Sequence, residues 1–244
     1  MAQWVQDGLG RSVLAAERRA LQKYLPSLKG EVALQVGSLP MLLESGFNHH
    51  FQLLDESQRI SDHSYAADSN VQQLYGSLDP FLPFSSSSVD LCLLPHVLEF
   101  SRNPHQLLRQ SREILVSGGH LVIFGFNPFS LWGARALFSR NKFPWNGQKL
   151  SVYRLKDWLR LLEFHISGGM MLYYLPPVEN RSIRSRFGFM DKAGDRWWPM
   201  LGSIYLLVAQ KREVGMTVID FREKIRKGAF LNIPEPAART ILDR

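Results

Sequence analysis

The stretch Val89–Pro128, VDLCLLPHVLEFSRNPHQLLRQSREILVSGGHLVIFGFNP, decides the architecture. From Leu91 to Leu94 it is apolar without alternation, the mark of a strand covered on both faces, as in a parallel sheet. A helix is predicted from about Pro104 to Leu115, with Leu107, Leu108 and Leu115 turned inward. Gly118 and Gly119 predict a turn, and His120–Phe124 a second buried strand. Strand, helix and strand in this order form one right-handed crossover unit of a parallel sheet.

Working outward, Ser12–Tyr24 reads as an amphipathic helix. Val13, Leu14, Leu21 and Tyr24 share a face, and Glu17, Arg18 and Arg19 are placed elsewhere on it. Ser12 is its predicted N-cap and Pro26 its stop. Strands are predicted at Glu31–Val36, Phe51–Leu54 and, more weakly, Val71–Tyr75. A short helix is expected to open at Pro40. Arg154–Phe164 predicts a further helix, with Leu155, Trp158, Leu159 and Leu162 at helical spacing. Gly168–Tyr174 and Gly202–Gln210 read as closing strands. Between them lies an insertion, Pro176–Pro199, and beyond Arg212 comes a basic tail expected to be loosely ordered. The implied division is a helical cap at 1–29, a main domain at 30–212 and the tail at 213–244.

The chain of 244 residues is 45% hydrophobic and 21% charged, ordinary values for a globular protein. The N-terminus lacks an apolar core of the secretory kind, and no membrane span is expected. The single cysteine, Cys92, has no internal disulfide partner, which fits a reducing, cytoplasmic setting. A net charge of +7 favours anionic partners. Nucleic-acid binding rests on that charge alone, because the basic groups are spread along the chain. His49 and His50 are adjacent and do not converge easily, and no HExxH or CxxC occurs, so no metal site is expected.

Several segments together resemble the class I S-adenosylmethionine-dependent methyltransferases. They are LPF at Leu82–Phe84, VDL at Val89–Leu91, HVLE at His96–Glu99 and REILVSGGHLVI at Arg112–Ile123. The tract GFNPFSLWG, Gly125–Gly133, is similar to that of a bacterial subgroup. The resemblance implies an α/β, Rossmann-like fold: a seven-stranded, mostly parallel sheet with the last strand antiparallel and helices on both faces. It also implies S-adenosylmethionine as cofactor, bound outside the carboxyl ends of the strands where their order reverses.

Carried onto this chain, the family's glycine motif falls on Gln35–Met41. Gly37 matches the first glycine, Leu39 and Met41 stand at the other two, and Gln35 replaces an acid. Gln35 is expected to accept a hydrogen bond from the cofactor's ammonium. Asp55 ends the second predicted strand where the family's acid receives the ribose hydroxyls; a helix N-cap or turn aspartate is the other reading. Leu78 is expected to offer backbone contacts to the adenine, and Pro95 to line the cofactor site. His96 is a candidate general base or, as in many relatives, a packing residue. Glu99 reads as a structural or helix-surface acid. Asn127, Phe129 and Trp132 fall on the substrate side, the two aromatics as a lid or as core. The function expected is methyl transfer to a small or lipid-like acceptor. The alternative is a non-catalytic binding protein on the same fold, suggested by the altered glycine loop.

Overall fold

The computed structural model describes residues 4–5, 7–41, 46–55, 71–77, 81–138, 146–178, 186–187 and 189–212. The chain divides into two units, Met1–Glu213 and Val214–Arg244, and everything described belongs to the first. The expected tail therefore lies outside the described residues.

Seven strands form one sheet: β1 (Val32–Val36), β2 (His49–Asp55), β3 (Val71–Gly76), β4 (Val89–Pro95), β5 (Leu115–Phe126), β6 (Phe164–Leu172) and β7 (Ile204–Lys211). Their spatial order is β3-β2-β1-β4-β5-β7-β6. β1 pairs in parallel with β2 and with β4, so the order reverses between β1 and β4. β7, last in the chain, runs antiparallel between β5 and β6. This is the seven-stranded, mostly parallel Rossmann-like sheet that the resemblance implies, and β4, α2 and β5 are the crossover unit read from the opening stretch.

Five helices are described: α1 (Gly8–Tyr24), α2 (Pro104–Ile114), α3 (Leu131–Phe138), α4 (Val152–Leu161) and α5 (Phe189–Trp197). α2 begins where Pro104 fills the first helical position and Asn103 accepts the Gln106 N–H at 3.2 Å. Apolar side chains cover both sheet faces. Leu34, Cys92, Leu94, Leu121 and Ile123 pack on Leu107 and Leu108 of α2 and on Leu155 and Leu159 of α4. Ala33, Leu91, Leu93, Val122 and Phe124 pack on Val13, Leu14 and Leu21 of α1. Each such leucine contributes about 1.5–3 kcal/mol of hydrophobic stabilisation, so α1 is part of the fold's core. Burial pushes the Cys92 thiol up to about 12, against a smaller opposite pull from its Ser111 hydrogen bond. It is a packed thiol, not a nucleophile.

Four local expectations are corrected. α1 starts at Gly8, four residues before Ser12, whose hydroxyl instead donates to the Gly8 carbonyl at 2.8 Å within the helix. Glu17 sits on the buried face of α1, at 1% exposure. Gly118, with φ +80°, marks an irregularity inside the long strand β5, where the register with β4 jumps, and not a turn before it. The helix expected to reach Phe164 stops at Leu161; Glu163 takes a left-handed φ of 56°, and Phe164 opens β6. The short helix expected from Pro40 falls largely on undescribed residues 42–45. Among the described residues, no helix is long and apolar enough to cross a membrane.

Candidate active site

Gly37 follows β1 and turns the chain with φ +100°, a conformation that favours glycine. Its N–H donates to the Leu53 carbonyl at 2.8 Å, which prolongs the β1–β2 ladder. A Cβ at Gly37 would lie 2.9 Å from Val97 Cγ2, so the closest neighbour of this glycine is the segment after β4.

Gln35 is buried at 2% exposure and holds the following loop shut. Its Oε1 accepts the Met41 N–H at 3.0 Å. Its Nε2 donates to the Gly37 carbonyl at 3.2 Å and to the Leu39 carbonyl. Gln52 Nε2 adds a bond to the Gly37 carbonyl at 2.9 Å, and Arg18 Nε of α1 donates to the Pro40 carbonyl at 2.8 Å. Leu39 and Met41 point into the core on the α1 side of the sheet. The amide that the resemblance assigns to a cofactor ammonium thus has its partners within the loop.

Asp55 ends β2, beside Gly76 of β3 and on the same edge as Gly37; it is half-buried. Leu78 lies outside the described residues, as does Asp79. Pro95 ends β4, buried and opposite Phe124 of β5. His96 follows with φ 54°, its N–H donating to the Phe124 carbonyl at 3.0 Å.

The His96 ring lies in a buried acidic cage. Nε2 is 2.5 Å from Glu17 Oε1, and Nδ1 is 3.5 Å from Glu99 Oε1. The Phe126 ring lies 4.1 Å away, centroid to centroid. Burial alone would lower the imidazole pKa. The Coulombic pull and hydrogen bond of Glu17, with the nearby Glu99 carboxylate, outweigh it and raise the pKa to about 10. The upward shift favours the imidazolium, the form that pairs with Glu17. In this geometry His96 positions the two acids.

Glu99, buried at 3% exposure, accepts the Phe126 N–H at 2.7 Å through Oε1. Among the described residues its Oε2 has no hydrogen-bond partner, nor has the buried Tyr205 hydroxyl. Burial and then the Glu99 charge raise the Tyr205 pKa well above its ordinary value, so it stays a neutral phenol.

The three substrate candidates separate. Asn127 Nδ2 donates to the carbonyls of Met200 and Gly202, both at 2.8 Å, and its Oδ1 accepts the Phe129 N–H at 3.0 Å. That side chain locks the end of β5 to the segment before β7. Phe129 stands 64% exposed. Trp132 is a core residue at 1% exposure, donating to the Leu175 carbonyl at 2.9 Å and stacked on Phe126 at an interplanar angle of 14°. Asn127 and Trp132 nonetheless share the wall of one small cavity with Glu99 and Phe126.

Glu17 and Glu99 were missed as site residues. The signal for Glu17 is its spacing: it falls on the 13–17–21 row of α1, among apolar positions. For Glu99 there is none, because its burial depends on β5, β7 and residues 147–149.

The residues that would meet the cofactor fit it unevenly. Asp55 and the positive-φ turn at Gly37 suit the ribose side of an adenosyl group at a strand-order reversal. On the other side of that turn, Gln35, Leu39 and Met41 are engaged in the fold.

A methyltransferase-domain family matches residues 41–123, from just past the altered loop to β5. The uncharacterized protein YafS of Escherichia coli (strain K12) is 36% identical over 152 residues, 61% of this chain and 60% of that protein. The chain thus spans less than two thirds of that relative's length. Among solved structures, a SAM-dependent methyltransferase from Thermotoga maritima, titled a possible histamine N-methyltransferase, superposes with a TM-score of 0.63 at 18% identity. The match covers 86% of this chain and 94% of that one. A SAM-dependent methyltransferase from Archaeoglobus fulgidus gives 0.56 at 16% identity, over 80% and 92% of the two chains. The [4+2]-cyclase SpnF gives 0.51 at 13% identity, over 79% and 80%. At these identities the likeness is one of fold, and a fold hosts more than one chemistry. The chain thus carries a stretch, residues 41–123, that matches a methyltransferase-domain family, within a fold similar to that of solved S-adenosylmethionine-dependent methyltransferases.

Proposed function

We propose that the protein is an S-adenosylmethionine-dependent methyltransferase acting on a small or lipid-like acceptor. The observation that carries this reading is the placement of Asp55 and Gly37 on one edge, at the carboxyl ends of β2 and β1, beside the reversal of strand order. Asp55 would take the ribose hydroxyls, a carboxylate offering two acceptors to a pair of donors. Gly37 and Pro95 would line the same crevice. When bound, the cofactor supplies an already activated methyl group, so the chain's task is to orient the acceptor and exclude water. The buried cluster of Glu17, His96 and Glu99 serves that task by fixing the segment after β4 against α1 and β5.

Asp55→Ala is expected to weaken S-adenosylmethionine binding about tenfold or more, read by calorimetric titration. Unchanged affinity removes Asp55 from the site. A second reading, a binding protein without chemistry on the same fold, is favoured by the loop that Gln35 closes over buried Leu39 and Met41. Titration with S-adenosylmethionine and its demethylated product decides between them. Binding of either, followed by labelled-methyl transfer in cell extract, supports the enzyme; binding of neither at millimolar concentration leaves the second reading.

A further inference from the structure

Large apolar side chains reach solvent on two segments at one edge of the sheet. Phe129 and Leu131 follow β5, and Trp197, Trp198, Met200 and Leu201 precede β7. The two tryptophans are 70% and 54% exposed. One amide joins the segments: Asn127 Oδ1 accepts the Phe129 N–H at 3.0 Å, and Asn127 Nδ2 donates to the Met200 carbonyl at 2.8 Å. Phe126 pairs with Ile204, so both segments meet the sheet at the carboxyl end of β5. β5 is parallel to β4, β4 to β1 and β1 to β2, so this is the edge that carries Gly37, Asp55 and Pro95. Single exposed apolar residues are ordinary, but a group of them beside a ligand crevice marks a surface that something covers.

The charge in these segments is predominantly positive. Residues 127–149 contain Arg135, Arg140, Lys142 and Lys149 and no Asp or Glu. Residues 176–199 add five lysines and arginines against three acids. Arg135 is exposed one turn after exposed Leu131 on α3, and exposed Arg196 directly precedes the tryptophan pair. Tryptophan has an apolar body and a polar N–H, and it settles where acyl chains meet water. Leucine, methionine and phenylalanine side chains enter the acyl boundary beside it, and the cations face the lipid phosphates. Apolar groups alone would fit many partners; with cations between them they fit an anionic bilayer.

From this placement we infer that the carboxyl edge of the sheet docks on a bilayer containing anionic phospholipids, with Trp197, Trp198, Phe129 and Leu131 in the headgroup layer. The docking needs only these residues. That the bilayer delivers the methyl acceptor to the crevice rests on the proposed function.

The test is flotation of the full chain with vesicles of phosphatidylcholine alone and of phosphatidylcholine with about 30% phosphatidylglycerol, at about 0.1 M salt. Partitioning onto the anionic vesicles is expected to be at least about tenfold stronger than onto the neutral ones, and to fall when salt is raised to about 0.5 M. Trp197→Ser with Trp198→Ser should weaken it about tenfold or more, and so should Phe129→Ser with Leu131→Ser on the other segment. Leu161→Ser, which removes another exposed leucine at the end of α4, should leave it unchanged. Equal binding to the two vesicles, binding to neither, full binding by either paired variant, or an equal loss in Leu161→Ser overturns the docking surface. A lipid-free dimer that the tryptophan pair dissolves, without vesicle binding, assigns the face to a second copy and also overturns it. Should one pair not fold, the native comparison and the other pair still decide. S-adenosylmethionine titrated into the same preparation separates the two readings. Cofactor binding without vesicle binding sinks only the docking surface, and vesicle binding without cofactor binding sinks only the methyltransferase.

Discussion

Replacing His96 by asparagine is expected to destabilise the fold by about 3–5 kcal/mol, because it leaves Glu17 and Glu99 buried without their cation. Asparagine is the fair replacement, since it tolerates the left-handed backbone at φ 54° that His96 adopts. Urea unfolding reads the loss as a lower midpoint at unchanged slope. Glu17→Gln removes the other half of the pair. A double-mutant cycle with His96→Asn should show coupling of about 1–3 kcal/mol, as for groups in one network. A loss below about 1 kcal/mol, or strict additivity, means the pair does not latch α1 to the segment after β4.

The same pair predicts a pH profile. The ordinary imidazole pKa is 6.5, and in the folded chain it is raised to about 10. Below the lower value, folded and unfolded chains both hold the proton, and the contribution of the pair is fully present. Above it the unfolded chain releases the proton while the folded chain keeps it, so stability falls as pH rises. The contribution is gone once pH passes the folded value. His96→Asn should flatten this alkaline decline, and a decline of equal slope in the variant would assign it to other groups.

Gln35→Leu is expected to lose at least about 3 kcal/mol. Its amide makes three hydrogen bonds to the loop, and truncation orphans the Met41 N–H and the carbonyls of Gly37 and Leu39 in a buried place. Each lost bond counts for about 1 kcal/mol, and more where water does not replace it. Thermal or urea unfolding measures this, and a loss under about 1 kcal/mol shows that the loop is held by Leu39 and Met41 packing alone. Gln35→Glu is the sharper companion. It restores the family's acid and keeps an acceptor for Met41 N–H, but it sets a carboxylate against two carbonyl oxygens. It should lower stability without improving cofactor affinity. A gain of about tenfold in affinity would instead mean that the loop opens to let residue 35 meet the ligand.

The candidate site was legible only where a chemistry-bearing residue coincides with a strand end. Asp55, Pro95 and His96 stand where an apolar run stops, and Gly37 follows the same signal one strand earlier. Gln35 was legible as a departure from the family's acid but not in its purpose. A glutamine's three bonds to its own loop depend on a backbone path that no spacing encodes. Trp132 and Phe129 lie three residues apart, yet one is the largest fully buried side chain among the described residues and the other faces solvent. The difference comes from the rings of Trp4 and Tyr173, distant in the chain, and of Phe126, six residues before, which pack around Trp132.

By itself, the amino-acid sequence determined the strand and helix segments and one parallel crossover; the seven-stranded order came from the family resemblance. Unbroken apolar runs separated by helices at 3.6-residue spacing can bury both faces only in a parallel, helix-covered arrangement, and that requirement is local and periodic. Only the tertiary structure decided the polar interior. Glu17, His96 and Glu99 come from two segments nearly eighty residues apart. Their protonation, the closure of the loop after Gly37 and the cavity beside Glu99 follow from which groups face each other once packed. Burial and electrostatic pairing act through space, so neither composition nor periodicity carries them.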